Sequence, residues 1–123
     1  MSVEEAISNI PDEVIDYLVQ QRRRERDLTV EKEVLKERIK KVQDILKLLE
    51  GRDNGLPCMI SGGNIYQQST VQQVKDNLAA NLSVSMALFV KAHRKLLRLQ
   101  QDLNQDYETV CDNVSRIGTT NQL

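Results

Sequence analysis

The chain has 123 residues, of which 40% are hydrophobic, 28% are charged and only 3% are aromatic. A low aromatic content together with many Leu, Val, Lys, Glu and Gln residues is typical of long helices that pack along narrow seams. A compact globular core usually contains more aromatic rings. The net charge of −1 excludes a strong overall field for nucleic acid or an anionic membrane, and no apolar run approaches the roughly 18 residues of a membrane span.

The first segment, residues 1–10, is interpreted as a flexible lead. It reads MSVEEAISNI, with acidic residues and no basic region, so it is not typical of a signal peptide. The two cysteines, Cys58 and Cys111, are far apart in the sequence, whereas a disulfide framework would need more cysteines at closer spacing. We therefore expect reduced thiols in an intracellular protein.

Residues 11–50 are predicted to form a long helix. Pro11 suits the first turn, where its missing N–H is not needed. Seam residues recur in two interleaved series with a period of seven. The series occupy positions 14, 21, 28, 35, 42 and 49, and positions 18, 25, 32, 39 and 46. Gln21, Glu25 and Lys32 are the polar members and lie in the first half, so we expect a seam that weakens towards the start of the helix.

A β-hairpin is predicted at the midpoint, over residues 56–69. The segment GRDNG ends the first helix, with Gly51 suited to a left-handed position, and PCMIS and NIYQQS resemble two short strands with GG between them. A lone two-stranded hairpin is marginally stable in water and exposes two strand edges. We therefore interpret it as an assembly element whose edges pair with strands of other chains.

A second long helix is predicted over residues 70–117, followed by a disordered tail over residues 118–123. Thr70 and Gln73 have the spacing of a capping box. The apolar seam is strong after the hairpin, but Asp106 and Asn113 interrupt it near the end. An antiparallel arrangement places the weak end of this helix beside the weak start of the first. The predicted fold is thus mainly α, an antiparallel two-helix coiled coil with a β-hairpin inserted at its midpoint, forming a single domain over residues 11–117.

Apolar residues are frequent at the free ends of both predicted helices, which we call the tips. These ends contain more apolar residues than the positions of one seam require. The candidate tip residues are Val14, Ile15, Tyr17, Leu18, Val19, Val110, Val114 and Ile117. They either pack against one another or form an exposed apolar patch that binds unfolded chains, and both hold if the tips splay apart.

The remaining sequence motifs give little indication of a chemical function. The run RRRER, Arg22–Arg26, is compatible with a solvated helix face, an electrostatic contact with a partner, or DNA binding, but no base-reading residues precede it. His93 is the sole histidine and has no ligand-type neighbour at metal spacing. We identify no catalytic, cofactor or metal site, and predict a protein that is not an enzyme and binds neither nucleic acid nor membrane.

The order helix, hairpin, helix, with heptads on both sides, resembles the β-class prefoldin subunits. The resemblance rests on residues 58–78: an apolar strand, a glycine pair, a second strand and an amphipathic helix start. The residues that carry the assembly hairpin in this resemblance are Met59, Ile60, Gly62, Gly63, Ile65 and Tyr66. The segment TVQQV after the hairpin is similar to the subunit-2 branch of the family.

This resemblance implies both an architecture and a function. Prefoldins are hexamers whose hairpins pair into a double β-barrel from which six coiled coils extend. Their tips hold non-native proteins, in eukaryotes chiefly actin and tubulin, and pass them to the cytosolic chaperonin without ATP. The expected partners are therefore other prefoldin-like subunits, unfolded clients and the chaperonin. The alternative is a scaffold or tether subunit of another heteromeric coiled-coil complex, of the kinetochore or vesicle-tethering type.

Overall fold

The computed structural model of the protein describes residue 4, residues 9–62 and residues 65–120, with the side chains of residues 60–62, 65–67 and 114–120 left out of the description. Over these ranges the chain forms helix α1 (Asp12–Leu49), strand β1 (Pro57–Gly62), strand β2 (Ile65–Thr70) and helix α2 (Val71–Thr120). Helix α2 continues beyond the predicted end at residue 117. The predicted fold class, two long antiparallel helices with a β-hairpin between them, is confirmed.

The chain divides into two units, each containing part of α1 and part of α2. The hairpin unit comprises Glu31–Lys91 and therefore both strands. The terminal unit comprises Met1–Val30 and Ala92–Leu123. Within each unit the two helix segments run in opposite directions and pack along a seam.

The seam of α1 follows the predicted repeat without a break. Each predicted seam position is buried or half-buried, and every other residue of α1 is exposed. The polar members occupy the seam as well, because a long side chain can cover apolar surface while its polar end stays near water. Lys32, for example, places its Nζ 5.6 Å from the centre of the Phe89 ring, a cation–π geometry within the hairpin unit.

The seam of α2 contains one deeply buried polar residue that the sequence analysis missed. Ser85 is only 2% exposed, and its Oγ donates a hydrogen bond to Asn81 Oδ1 at 3.2 Å. Its position between Leu82 and Phe89 continues the repeat, but a search for apolar residues passes over serine. Seam membership is therefore set by position in the repeat and not by side-chain polarity alone.

Among the described apolar residues of α2, those that are buried lie in the terminal unit, apart from Val71 at the start of the helix. The buried seam residues there are Ala92, Leu96, Leu99 and Leu103. Near the hairpin, by contrast, the seam leucines Leu78 and Leu82 are only half-buried. The sequence predicts an apolar seam from Leu78 to Leu103 in α2, and these buried residues of the terminal unit lie within it. In α1 the buried residues, Leu35 and Val42, lie in the hairpin unit.

The segment after α1 is shaped by a glycine and an Asx turn. Gly51 has a φ of 79°, the left-handed conformation that the sequence predicts for the residue after the helix. The Asp53 carboxylate Oδ1 accepts a hydrogen bond from the Gly55 N–H at 2.9 Å, and the Asp53 carbonyl accepts one from the Leu56 N–H at 3.1 Å. These contacts turn the chain towards β1 over a few residues.

The start of α2 is fixed by a capping box and by the preceding turn. The Gln73 N–H donates to Thr70 Oγ1 at 3.2 Å, and the Thr70 N–H donates to Gln73 Oε1 at 3.1 Å, as the spacing predicts. The next two N–H groups also find acceptors: Val71 N–H donates to the Leu56 carbonyl at 2.9 Å and Gln72 N–H to the Asn54 carbonyl at 3.0 Å. The first turn of α2 is therefore satisfied without water.

The two strands form an antiparallel hairpin with a continuous register. Pro57 pairs with Thr70 at one end and Gly62 pairs with Ile65 at the other. The sequence analysis placed both glycines between the strands, but Gly62 is the last residue of β1. Residues 63 and 64, a Gly-Asn pair, separate the strands and lie outside the described residues. A two-residue connection of these residue types is favoured in tight hairpins.

Candidate binding surfaces

The hairpin unit carries most of the exposed large apolar side chains of the described chain. Leu48 is 71% exposed and Met59 is 66% exposed. The others in this unit are Val34, Ile45, Leu56, Val84, Met86, Leu88 and Val90. Exposed apolar side chains mark a contact surface where they adjoin one another, and Leu56 and Met59 lie close together in the chain at the hairpin.

The hairpin also exposes backbone hydrogen-bonding groups. In the described sheet each strand has one neighbour, so the outer edge of each has N–H and C=O groups without a strand partner. Ile60, Gly62, Ile65 and Tyr66 of the predicted assembly hairpin lie in these strands, and Gly63 lies outside the described residues. The surface combines unpaired strand edges with the exposed side chain of Met59.

The terminal unit contains an apolar groove, which we call the Ile15 groove. Its volume is about 320 Å³. The groove is lined by Ile15, Leu18, Val19, Arg22, Arg26 and Tyr107. Ile15 and Val19 are each 44% exposed, so two of the predicted tip residues present apolar surface to solvent.

Arg22 joins the two helix segments beside this groove. Its Nε donates a hydrogen bond to the Tyr107 hydroxyl at 3.1 Å, its guanidinium lies 5.0 Å from the centre of the Tyr107 ring, and it forms an ion pair with Glu25 at 2.8 Å. The hydrogen bond with Tyr107, and then the one with Glu25, raises the pKa of Arg22 above its usual value. The sequence analysis missed this contact, because no local pattern links residues so distant in the chain.

A second groove, which we call the Tyr17 groove, lies in the same unit and has a volume of about 330 Å³. It is lined by Tyr17, Gln21, Arg24, Leu28, Lys95, Arg98, Leu99, Asp102, Leu103 and Asp106. A hydrogen-bonding interaction with the Asp106 carboxylate, and then the charge of Asp106, raise the pKa of Tyr17. Asp106 Oδ2 is buried, and no described residue donates a hydrogen bond to it in good geometry. Positive and negative side chains are mixed along this groove.

The other tip residues with described side chains do not line the Ile15 groove. Val14 and Val110 are half-buried at seam positions. Tyr17 is exposed but lines the Tyr17 groove instead of the Ile15 groove. The side chains of Val114 and Ile117 lie outside the described residues. The structure therefore brings Ile15, Leu18 and Val19 together in one groove and places Tyr17 in the other.

The described side chains contain no group of three or more His, Cys, Asp or Glu residues that could hold a metal ion. Both cysteines, Cys58 in the hairpin unit and Cys111 in the terminal unit, are free thiols. Among the helices that the structure describes, none is long and apolar enough to cross a membrane.

The architecture matches that of a known chaperone subunit. The crystal structure of the prefoldin beta subunit from Thermococcus strain KS-1 superposes with a TM-score of 0.75, covering 86% of this chain and 96% of that one. The two sequences are 13% identical over the match, so the likeness shows the fold alone. No protein-family model matches the sequence, and no curated protein is detectably similar to it.

Proposed function

We propose that the protein is a subunit of a hetero-oligomeric, prefoldin-type molecular chaperone. The observation that carries this proposal is the β-hairpin held between two long helices, in the same fold as the prefoldin beta subunit from Thermococcus strain KS-1. A hairpin with a continuous register also favours this function over the scaffold or tether alternative, which an irregular loop between the helices would fit better. The TVQQV segment, residues 70–74, supports placement in the subunit-2 branch.

Assembly through the hairpin is supported by the surface it exposes. Unpaired strand edges bind strands of another chain through main-chain hydrogen bonds. The exposed side chains of Leu56 and Met59 adjoin or lie in the hairpin, and burying each against a partner is worth on the order of 1 kcal/mol or more. The expected partners are other prefoldin-like subunits.

Client binding in the terminal unit is supported by the Ile15 groove. An unfolded chain exposes apolar side chains, and a groove with an apolar floor removes them from water. No step of holding or releasing such a chain needs covalent chemistry, in keeping with a protein that does not act as an enzyme. Delivery of the client to the cytosolic chaperonin without nucleotide hydrolysis, and a cytoplasmic location, complete the proposal.

Two variants separate assembly from client binding. In the first, residues 57–70 are replaced by a short Gly-Ser turn, which removes the strand edges. In the second, residues 1–20 and 108–123 are deleted, which removes the three aliphatic residues that line the Ile15 groove. Native mass spectrometry of the coexpressed subunits measures assembly, and light scattering of a diluted denatured client measures suppression of aggregation.

The first variant is expected to lose the oligomer while its helix content stays nearly unchanged. The second is expected to keep the oligomer and lose protection of the client. If the hairpin variant still assembles, the hairpin is not the assembly element. If the truncated protein protects the client as well as the full chain does, the Ile15 groove is not the client site.

A further inference from the structure

We propose that the Ile15 groove selects polypeptide segments in which apolar residues are flanked by carboxylates, over segments flanked by neutral or basic residues. This inference rests on the proposed client-binding function and names the class of segment that is bound. It follows from three features of the terminal unit: the floor of the groove, the charge of its rim, and the contrast with the Tyr17 groove.

The floor of the groove is aliphatic. Ile15 and Val19 lie one turn apart on α1 and are each 44% exposed, and half-buried Leu18 lies between them. The Tyr107 side chain of α2 completes the lining. A floor of this kind accepts one or two apolar side chains of a bound segment, because their burial is favourable in proportion to the apolar area removed from water.

The rim of the groove carries positive charge only. Its charged lining residues are Arg22 and Arg26, and no carboxylate lines it. Arg22 is already engaged by Glu25 and Tyr107. The Arg26 guanidinium makes no ion pair or side-chain hydrogen bond with any residue that the structure describes. A cation without a partner beside an apolar floor favours a ligand that brings a carboxylate next to its apolar side chain.

The Tyr17 groove, in the same unit, is lined by side chains of both charges. Arg24, Lys95 and Arg98 line it, but so do Asp102 and Asp106. A carboxylate entering there would meet repulsion as well as attraction. The charge preference is therefore assigned to the Ile15 groove and to Arg26 within it.

The chemistry of the groove fits a polypeptide better than another polyanion. Nucleic acid binding draws on a row of cations that follows the phosphate backbone, whereas this groove has one unengaged cation beside aliphatic side chains. An acidic and apolar segment of an unfolded chain supplies both groups that the groove can satisfy.

The test uses the full-length protein and three fluorescein-labelled peptides in a Gly-Ser background. Each contains the same two leucines, flanked by Glu in one peptide, by Gln in the second and by Lys in the third. Fluorescence anisotropy gives the dissociation constants at about 50 mM and about 300 mM salt, a range over which exposed charge pairs become screened. The variants are Arg26→Gln with Arg23→Gln as its control, and Val19→Ser with Val30→Ser as its control.

Each control substitution replaces the same type of residue in the same unit of the protein. Arg23 is an exposed arginine of the same helix that lines neither groove, so Arg23→Gln removes the same net charge. Val30 is an exposed valine of the terminal unit, 61% exposed, that also lines neither groove.

The expected order of affinity is Glu, then Gln, then Lys, with about a twofold to fivefold preference for Glu over Gln at the lower salt concentration. Arg26→Gln should remove that preference and Arg23→Gln should retain it. Val19→Ser should weaken all three peptides alike, by about threefold to tenfold, and Val30→Ser should leave them unchanged.

Several results overturn the inference. Equal binding of the three peptides that Val19→Ser still weakens removes the charge preference and leaves the proposed function intact. Equal effects of Arg26→Gln and Arg23→Gln show a response to net charge instead of to the groove. If no peptide binds, both the inference and the proposed client site fail. If Arg26→Gln alone changes the sedimentation of the protein without peptide, the groove is an interface between copies of this chain.

Discussion

The hairpin unit and the terminal unit are built on the same repeat, yet they expose different surfaces. In the terminal unit, the seam of α2 contains buried leucines, of which Leu103 is only 1% exposed. In the hairpin unit, Leu48 and Met59 are among the most exposed apolar side chains of the described chain. The same repeat thus supports one unit with a deeply buried seam and another with much exposed apolar surface. Position in the repeat decides which residues are buried, whereas the residues outside the seam decide what the surface presents.

The largest expected loss of stability comes from a substitution in the buried seam of the terminal unit. Replacing Leu103 by Ala removes a fully buried side chain and should lower the free energy of unfolding by about 2–5 kcal/mol. Leu97, in the same helix, is 46% exposed, so Leu97→Ala should cost less than about 1 kcal/mol. Urea denaturation followed by circular dichroism measures both. Equal losses would contradict the assignment of stability to the seam.

The next effect tests the polar seam position of the hairpin unit. Ser85→Leu forces a large side chain into a site where serine is 2% exposed and should destabilise the protein by about 1–3 kcal/mol. Ser85→Ala keeps the size and removes a hydrogen bond to exposed Asn81, so it should stay within about 0.5 kcal/mol of the wild type. The same denaturation experiment applies. A stabilised leucine variant would show that the seam at this position has room to spare.

A smaller effect concerns the cap that fixes α2 to the hairpin. Thr70→Ala removes the side-chain acceptor of the Gln73 N–H and should cost about 0.5–2 kcal/mol. Thr109 is the control, since its hydroxyl donates to the Gln105 carbonyl within the helix, an arrangement that adds little stability. Thermal unfolding of the two alanine variants compares them. A larger loss for Thr109→Ala would be inconsistent with the capping box as the stronger contact.

The smallest expected effect concerns the electrostatic interaction between Tyr17 and Asp106 in the terminal unit. Asp106 is the main cause of the raised pKa of Tyr17, and Asp102 is a lesser one. Asp106→Asn should therefore lower the pKa of Tyr17 towards its ordinary value of 10.0, and Asp102→Asn should lower it less. Titration of isotope-labelled tyrosine by NMR resolves Tyr17 from the other tyrosines.

The sign of the linked stability change is fixed by the direction of that shift. The folded protein holds the Tyr17 proton more tightly than the unfolded chain does. The contribution of this contact to stability is therefore fully present below the ordinary tyrosine pKa, and it is lost as the pH rises through the raised value. A larger shift in Asp102→Asn than in Asp106→Asn would reverse the assigned causes.

Much of the fold could be predicted from the sequence, because the repeat and the local turn chemistry are local signals. The seam of α1, the left-handed Gly51 and the Thr70 cap all follow from spacings of a few residues. Ser85 was missed because its polarity concealed its place in the repeat. The Arg22–Tyr107 contact joins residues far apart in the chain, so no spacing predicts it.

The candidate surfaces were less predictable than the fold. The sequence grouped Ile15, Tyr17, Leu18 and Val19 by proximity, but the helix places Tyr17 in a different groove. Each groove is lined by residues of two helix segments that are far apart in the sequence, and a pattern of apolar residues along one helix does not show how those segments pack. The roles of Met59 and its neighbours in assembly, and of the Ile15 groove in client binding, stay predictions.

The left-handed conformation of Gly51 makes the chirality of the residue at this position matter. Its φ of 79° is a backbone conformation that an L side chain adopts only with strain. A D-amino acid prefers that region of φ as an L residue prefers its mirror image. A chemically synthesised chain with D-alanine at position 51 should therefore keep the turn after α1 and gain roughly 0.4–1 kcal/mol, because the unfolded chain loses the freedom that glycine gives it. At position 51, a D-amino acid therefore fits the backbone conformation better than an L-amino acid with a side chain would.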